Sequence, residues 1–418
     1  MNWKKLLCAG LSGALLAGAM AGCSTAEPQP TPAADDIAYQ ATGLSRDTVL
    51  FTVDGREVTA DQYLYWLLTS ISTAKSAGYL ADDEAWEEEI EGQPTADYLK
   101  EQALEISKLY ASVANHADEA GIVVTEDQRA EAEEQLDQMG AMYEAYYGLT
   151  TQEWLDQQCI SREGYLGLND AYYLVTGLEE SLKESGELDP TDEDLRNMID
   201  SEGIYSCKHI LLAFPQHDDG SDPTDEEKAA TKAEADALYA EITGAADPAA
   251  AFDAAMNEKS DDGRDETTGE LYKPEGYTFL STGAMVDGSG SLVTEFVTAG
   301  TELEVGQISQ PVETDYGYHI LLRQDADNEE TRTAYADYAM NQLLDQWTAD
   351  AKVETTDAYK NLDPKSFYDF MMNMVLEWQE QQQAEAEAAA SASPSAETES
   401  PAPETESPAA EPSASPAA

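Results

Sequence analysis

The same four residues, His-Ile-Leu-Leu, occur twice in the chain, within segments 208–212 and 318–322. Both segments are rich in the branched and aromatic residues that favour β-strands, and a strand points alternate side chains to opposite faces. We therefore expect the two strands to pair within one small domain, with His209 and His319 on the same face of the sheet. The two imidazoles then either satisfy each other in the core or orient a catalytic centre.

A hairpin and a series of helices precede these strands. Residues 48–53 are rich in β-forming residues and predict a first strand. Asp54-Gly55 is a favoured two-residue turn, and residues 56–58 are predicted to form the second, antiparallel strand. Further on, threonine followed three residues later by an acidic or amide side chain predicts capped helix starts. This pattern occurs at Thr59, Thr125, Thr150 and Thr191. Residues 59–200 are therefore predicted to be mostly helical, with aromatic side chains that line either the core or an exposed groove.

The pattern changes near residue 203, where a compact β-like run is followed by a helix opened by Thr224. Segment 307–312 is predicted to form a further strand before the second His-Ile-Leu-Leu strand. Residues 204–325 are therefore expected to form a separate domain of strands and helices around a small antiparallel-rich sheet.

Helical periodicity on both sides of this domain predicts that the domain is inserted into another. Residues 326–383 are expected to pack with residues 37–203, so that the two segments form one discontinuous, mostly helical domain. The predicted fold class is accordingly α+β.

The charge of the chain excludes several kinds of partner. Lys and Arg number 22 against 84 Asp and Glu, which gives a formal net charge of −62. Such an acidic surface repels phosphate backbones and anionic lipid headgroups, so neither nucleic-acid binding nor electrostatic docking on a membrane is expected. Four cysteines without a Cys-x-x-Cys pair or a Cys/His cluster predict no metal site, and no Gly-rich phosphate loop is present. No cofactor is expected.

Both ends of the chain are predicted to lie outside the folded body. Residues 1–22 have the charged start and short apolar run of a signal peptide, and the residues at 20–23, Met-Ala-Gly-Cys, resemble a bacterial lipobox. Lipidation is therefore expected at Cys23, on the outer face of the cell membrane; an uncleaved anchor or plain secretion is the alternative. Residues 23–36 are predicted to be a flexible tether, and residues 384–418 a disordered tail of Ala, Ser, Pro, Glu and Thr.

Several motifs of the inserted domain fall in the order seen in parvulin-type peptidyl-prolyl cis–trans isomerases. They are 206–212, 259–262, 269–271, 283–285, 295–296, 306–311 and 316–322. With the lipobox and the helical flanks, the chain resembles PrsA-type extracytoplasmic foldases, which are related in plan to SurA-type chaperones. The resemblance implies that the chain isomerises X–Pro bonds in unfolded or partly folded exported polypeptides, and that the helical domain is chaperone-like. The resemblance is compatible with either a monomer or a homodimer.

The resemblance also implies a pocket for the proline ring. Phe296 would be its aromatic wall, with either Met285 or Leu292 beside it. The family has a methionine four residues before its phenylalanine, which selects Leu292, whereas the Gly-x-Met pattern selects Met285. Tyr316 would line the same pocket, where some members of the family carry a small hydroxyl residue.

The polar centre implied by the resemblance contains His209, His319 and Asp262. Asp262 lies where the family has Cys or Asp near the substrate carbonyl, and the imidazoles would hold the carbonyl environment in place rather than act as nucleophiles. The alternative for Asp262 is an ordinary turn residue. The loop 216–222 is acidic, so no preference for phosphoserine–proline is predicted.

Two rival functions remain at this stage. A catalytically weak or inactive holdase would keep the same architecture and only bind unfolded chains. An acidic surface adhesin or solute-binding lipoprotein would share only the exported location.

Overall fold

The computed structural model of the chain describes residues 36–392, except 218 and 266. The predicted signal peptide, the lipidation site Cys23 and nearly all of the predicted tether lie outside the described residues, as do residues 393–418 of the predicted tail. Within the described residues no helix combines the length and the apolar character that crossing a bilayer requires.

The chain begins with a hairpin followed by helices. After the short helix α1 (Ile37–Thr42), strand β1 (Val49–Val53) pairs with β2 (Arg56–Thr59), and both turn residues, Asp54 and Gly55, have positive φ. The helices that follow are α2 (Ala60–Ser76), α3 (Thr95–Ala120), α4 (Glu126–Tyr147), α5 (Thr151–Gln157), α6 (Arg162–Ser185) and α7 (Asp192–Glu202). A 3₁₀ turn (Glu84–Glu87) and the two-residue strands β3 (Glu89–Ile90) and β4 (Gln93–Pro94) lie between α2 and α3.

The predicted helix starts are found, and most of them have the predicted cap. Full capping boxes open the helices after Thr125, Thr150, Thr191 and Thr224. At Thr59 the helix begins as expected, but the threonine side chain makes no capping hydrogen bond. The prediction of a capping box was wrong there, because β2 leads directly into α2 and the backbone N–H groups of Ala60 and Asp61 donate to the carbonyls of Thr48 and Arg46 instead.

The inserted domain consists of a four-stranded antiparallel sheet with helices on both faces. Its elements are β5 (Ile204–Ala213), α8 (Asp225–Thr243), α9 (Pro248–Lys259), β6 (Tyr277–Leu280), α10 (Thr294–Glu302), β7 (Val312–Thr314) and β8 (Gly317–Gln324). The strand order is β6-β5-β8-β7. Of the strand predicted at 307–312, the structure has a bridge between Ile308 and Leu322 and the residue Val312, where β7 begins. Pro311 has no N–H to donate, and Ser309 receives the N–H of Leu321 on its side-chain oxygen.

After the inserted domain, the chain packs again with the helical domain that residues 36–203 form. It forms α11 (Glu329–Asp350), β9 (Val353–Thr355), α12 (Asp357–Asn361) and α13 (Pro364–Ala392). Strand β9 pairs with β1, with Phe51 opposite Thr355, which makes the order β2-β1-β9. The predicted α+β class with a discontinuous, mostly helical domain is confirmed. Helix α13 continues to Ala392, past the predicted start of the tail at residue 384, since Ala and Glu are strong helix formers.

The sheet of the inserted domain has two different faces. Alternate residues of β5 and β8, such as Ile210 and Ile320, pack with α8 and α9. The opposite face carries Cys207, His209, His319 and Leu321, and α10 covers it. The two cysteines of the described residues, Cys159 and Cys207, are buried and free. The face under α10 is therefore the one that carries both histidines.

Candidate active site

The pairing of β5 with β8 brings the two histidines together. His209 lies opposite Leu321 and His319 opposite Leu211, so the imidazoles are diagonal neighbours on one face. Their Nδ1 atoms are 3.4 Å apart and their ring centroids 5.1 Å apart. The predicted pairing of the two repeated segments, with both imidazoles on one face, is confirmed.

The segment after α9 holds Asp262 beside the first imidazole. The N–H of Asp261 donates to the carbonyl of Leu211, and the Asp261 carboxylate accepts the N–H of Ala213. The Ser260 hydroxyl oxygen accepts the N–H of Leu211. These three hydrogen bonds fix residues 260–262 along the C-terminal end of β5, which does not pair with β6. As a result, Asp262 faces the sheet.

Asp262 contacts two side chains of the site. Its Oδ2 lies 3.0 Å from Nε2 of His209, off the line of a well-directed hydrogen bond, so we treat this contact as electrostatic. The hydroxyl of Tyr277 donates to the same oxygen at 3.0 Å. Burial raises the pKa of Asp262, but His209, the backbone N–H of Gly263 and Tyr277 outweigh it, so this pKa lies below its usual value. Asp262 is therefore a carboxylate at neutral pH.

His319 is neutral in the folded protein. Burial, and next the proximity of His209, lower its pKa from 6.5 to about 3, and the nearby Asp262 opposes this only in part. Its Nε2 lies 3.0 Å from the hydroxyl oxygen of Thr314. A carboxylate beside His209 Nε2 requires a proton on that nitrogen. We accordingly assign Nδ1–H of His319 as donor to Nδ1 of His209, and Thr314 as donor to Nε2 of His319.

An aromatic wall covers the imidazoles. Phe296, on α10, is 1% exposed, and its ring centroid lies 5.3 Å from that of His209 and 5.7 Å from that of His319. Helix α10 approaches closely because it carries Gly300 one turn after Phe296. A Cβ atom at residue 300 would lie 2.9 Å from Phe279 Cζ and 3.2 Å from Cys207 Sγ.

The other predicted pocket residues differ in their placement. Leu292 is half-buried and packs against the cluster that contains Phe296. Met285 is also half-buried, but it pairs across from Phe279 and its sulfur receives a hydrogen bond from Ser289, within its own loop. Tyr316 is 63% exposed, and its side chain makes no hydrogen bond or ring contact with the cluster among the described residues. The arrangement therefore brings Leu292, rather than Met285 or Tyr316, to the aromatic wall.

Sequence reasoning missed two polar residues of the site. Tyr277 precedes Phe279 by two in β6, and its ring centroid lies 5.2 Å from that of His209. Burial and the neighbouring Asp262 raise its pKa, which keeps the phenol protonated as a donor. Thr314 could have been found only from the β7–β8 hairpin, which places it near His319.

The site contains no arrangement for a metal. Among the residues that the structure describes, no group of three or more His, Cys, Asp or Glu side chains could hold a metal ion. The site is a pair of buried imidazoles bounded by one carboxylate, one phenol and one phenyl ring.

Comparisons with known proteins identify the domain. Residues 209–325 match the model of the rotamase family, described as PPIC-type PPIASE domain. A stretch of 34 residues is 59% identical to the foldase protein PrsA of Geobacillus sp. (strain WCH70), covering 8% of this chain and 12% of the relative. A stretch of 71 residues is 38% identical to the foldase protein PrsA of Geobacillus kaustophilus (strain HTA426), covering 16% and 25%.

The matches thus span at most a quarter of the curated relatives' length. Among solved structures, the peptidylprolyl isomerase PrsA from Bacillus cereus is 18% identical, covers 78% of this chain and 99% of that one, and gives a TM-score of 0.24. The assignment rests on the sequence matches, and it confirms the resemblance to parvulin-type proteins. Residues 209–325 thus form a domain of the rotamase family, PPIC-type PPIASE domain, and short stretches of the chain are similar to PrsA foldases.

Proposed function

We propose that the chain is a peptidyl-prolyl cis–trans isomerase and foldase whose catalytic site is the cluster of His209, His319, Asp262 and Phe296. The observation that carries the proposal is the convergence of these side chains, from four separate parts of the domain, on one face of its sheet. The family of the domain agrees with this activity.

The reaction needs no proton transfer and no broken bond. Rotation about an X–Pro bond has a barrier of about 18–20 kcal/mol, which amide resonance sets, and the uncatalysed process takes tens to hundreds of seconds. Resonance separates charge, so an environment with little water favours the twisted amide relative to the planar one. A site that holds the twisted form more tightly than either planar isomer accelerates the rotation.

The residues of the cluster suit this task. The half-buried Leu292 supplies apolar surface that a proline ring can reach, and the buried Phe296 backs it from within. His319 stays uncharged and His209 keeps Asp262 at a fixed position, while Tyr277 and Asp262 form the half-buried edge where a peptide can approach. We assign Asp262 the role of orienting the peptide carbonyl's surroundings, and His209 and His319 the role of holding Asp262.

We further propose that the chain is exported and anchored to the outer face of the cell membrane through a lipid on Cys23. Support comes from the apolar run within residues 1–22 and from the Met-Ala-Gly-Cys motif at residues 20–23. Its clients are then unfolded or partly folded exported polypeptides, which the helical domain holds near the isomerase site. Mass spectrometry of the mature N-terminus tests the anchor: a diacylated Cys23 supports it, and an unmodified or differently cleaved N-terminus refutes it.

A protease-free isomerisation assay tests the catalytic proposal. The rate is measured on a series of tetrapeptides that vary the residue before proline, with the full chain and with Asp262→Ala. We expect acceleration by the wild-type chain, slower turnover when the residue before proline is acidic, and a large loss of turnover in Asp262→Ala.

Glu234→Ala is the matched control, because it removes an exposed carboxylate of α8 in the same domain. Its turnover should equal that of the wild type. A wild-type rate equal to the uncatalysed rate would refute the enzyme and leave only the holdase. Unchanged turnover in Asp262→Ala, with an unaltered circular dichroism spectrum, would remove Asp262 from the site.

A further inference from the structure

The helical domain contains a cavity of about 330 Å³ that is separate from the isomerase site. It lies between β2, α2, α3 and α6, and the exposed side chains of Glu57 and Glu163 mark its mouth. The buried Trp66 and the half-buried Tyr110 form part of its wall. This volume is at the lower end of the range for small-ligand pockets, so it suits one side chain rather than a peptide segment.

Charge in this cavity is unbalanced. Its charged lining residues are Arg56, Glu57, Asp61, Glu163 and Asp170. Three of the five have ion-pair partners: Arg56 pairs with Asp118, Asp61 with Arg46, and Asp170 with Arg129. Glu57 and Glu163 have no ion pair with any described residue.

The remaining carboxylates therefore give the cavity an excess of negative charge. The influence of Glu163 is visible inside the cavity, where burial, opposed by Arg129 and assisted by Glu163, raises the pKa of Asp170 to about 6. A cleft lined by charge of one sign focuses its field and raises the local concentration of ions of the opposite sign.

The aromatic wall adds a second attraction for cations. The ring centroids of Trp66 and Tyr110 lie 5.0 Å apart at an interplanar angle of 49°, and both residues line the cavity. Lys and Arg side chains are attracted to the faces of such rings, Trp most strongly. Aromatic faces beside unpaired carboxylates match a cation on an apolar stem, which describes the side chain of Arg or Lys.

We propose that this cavity binds a basic side chain of an unfolded client polypeptide. The inference rests on the proposed role of the helical domain in holding clients. It adds that this domain recognises basic side chains of the client. On this proposal the inserted domain binds proline residues of the client, whereas the helical domain binds its positively charged side chains.

Two blocked, proline-free decapeptides test this inference by titration calorimetry on the full chain. One carries a single arginine among apolar residues, and the other replaces it with citrulline, which has nearly the same shape and no charge. The affinity for the arginine peptide should exceed that for the citrulline peptide. Glu57, Glu163 and the aromatic wall should each contribute a factor of between about two and three, which multiplies to roughly tenfold. In the double variant Glu57→Gln/Glu163→Gln the preference should fall to between about two- and threefold.

The matched control is Glu180→Gln/Glu184→Gln, because it makes the same change in net charge on exposed residues of α6. Residue 180 lies about 25 Å along the helix from residue 163. This control should keep the full preference for arginine. Equal binding of the two peptides by the wild type would overturn the inference. So would an equal loss of preference in both double variants, because the net charge alone would then explain the discrimination.

The failure of this inference can be told apart from failure of the proposed function. X–Pro isomerisation is measured on the same preparation with a tetrapeptide that carries no charge. Isomerisation without discrimination between the decapeptides refutes the basic-side-chain cavity and leaves the isomerase. Discrimination without isomerisation supports the cavity and refutes the enzyme.

Discussion

Acid should destabilise the inserted domain through His319. In the unfolded chain this imidazole binds a proton below its usual pKa of 6.5, whereas in the folded domain it does so only near 3. Between these values the unfolded state holds more protons, so the free energy of unfolding falls as the pH falls. The stability is complete above about pH 6.5 and is lost progressively towards pH 3.

The size of the effect follows from the two pKa values. Each pH unit in this window costs about 1.4 kcal/mol, so the loss at pH 5 is about 2 kcal/mol relative to pH 7. No discount for solvent is needed, because His319 is buried. In the variant His319→Gln the group cannot titrate, so this contribution disappears. Titratable groups outside the site act on both proteins and cancel in the comparison.

Hydrogen exchange followed by mass spectrometry measures the local opening free energy of β5 and β8. The experiment uses the full chain and compares peptides that cover these strands at pH 5 and pH 7. The opening free energy of the wild type should fall by about 2 kcal/mol more than that of His319→Gln. His217→Gln, which alters an imidazole in the loop after β5, should behave as the wild type. An equal pH dependence in the wild type and His319→Gln would refute the buried, neutral state of His319.

Three further predictions concern the packing, the caps and the specificity. Gly300→Ala should destabilise the inserted domain by about 1–3 kcal/mol in urea denaturation, because the new Cβ would press on Phe279 and Cys207; no loss would contradict the close approach of α10. Thr224→Ala should cost about 1 kcal/mol and Thr59→Ala less, since only Thr224 has a side-chain cap; equal losses would contradict this. Peptides with phosphoserine before proline should be isomerised no faster than their unphosphorylated forms, because the loop 216–222 is acidic, and a faster rate would refute this reading.

Much of the fold follows from local patterns in the sequence. The hairpin at Asp54-Gly55 and the capped starts after Thr125 and Thr224 depend on neighbouring residues only, so they were predictable. The pairing of the two His-Ile-Leu-Leu strands was predictable because a repeated pattern of side chains favours one register. The contact of β9 with β1 depends on residues about 300 positions apart, and the sequence predicted only that the flanks meet.

The candidate site was predictable in part. Resemblance indicated Asp262 and Phe296, and the structure brings both to the imidazoles. The choice between Met285 and Leu292 could not be made from spacing, because the loop after Met285 folds back on itself and changes which residue reaches α10. Tyr277 and Thr314 were missed because their roles arise from tertiary contacts of their hydroxyl groups.

The central claim is that an X–Pro peptide binds at the imidazole cluster beneath α10. The most direct measurement is a methyl-resolved NMR spectrum of the full chain, labelled at Leu and Met, during titration with an uncharged proline tetrapeptide. The account predicts that the Leu292 methyl resonances shift first, while leucines of α2 such as Leu64 and Leu67 stay in place. Shifts confined to the helical domain, with Leu292 unchanged at saturation, would contradict it.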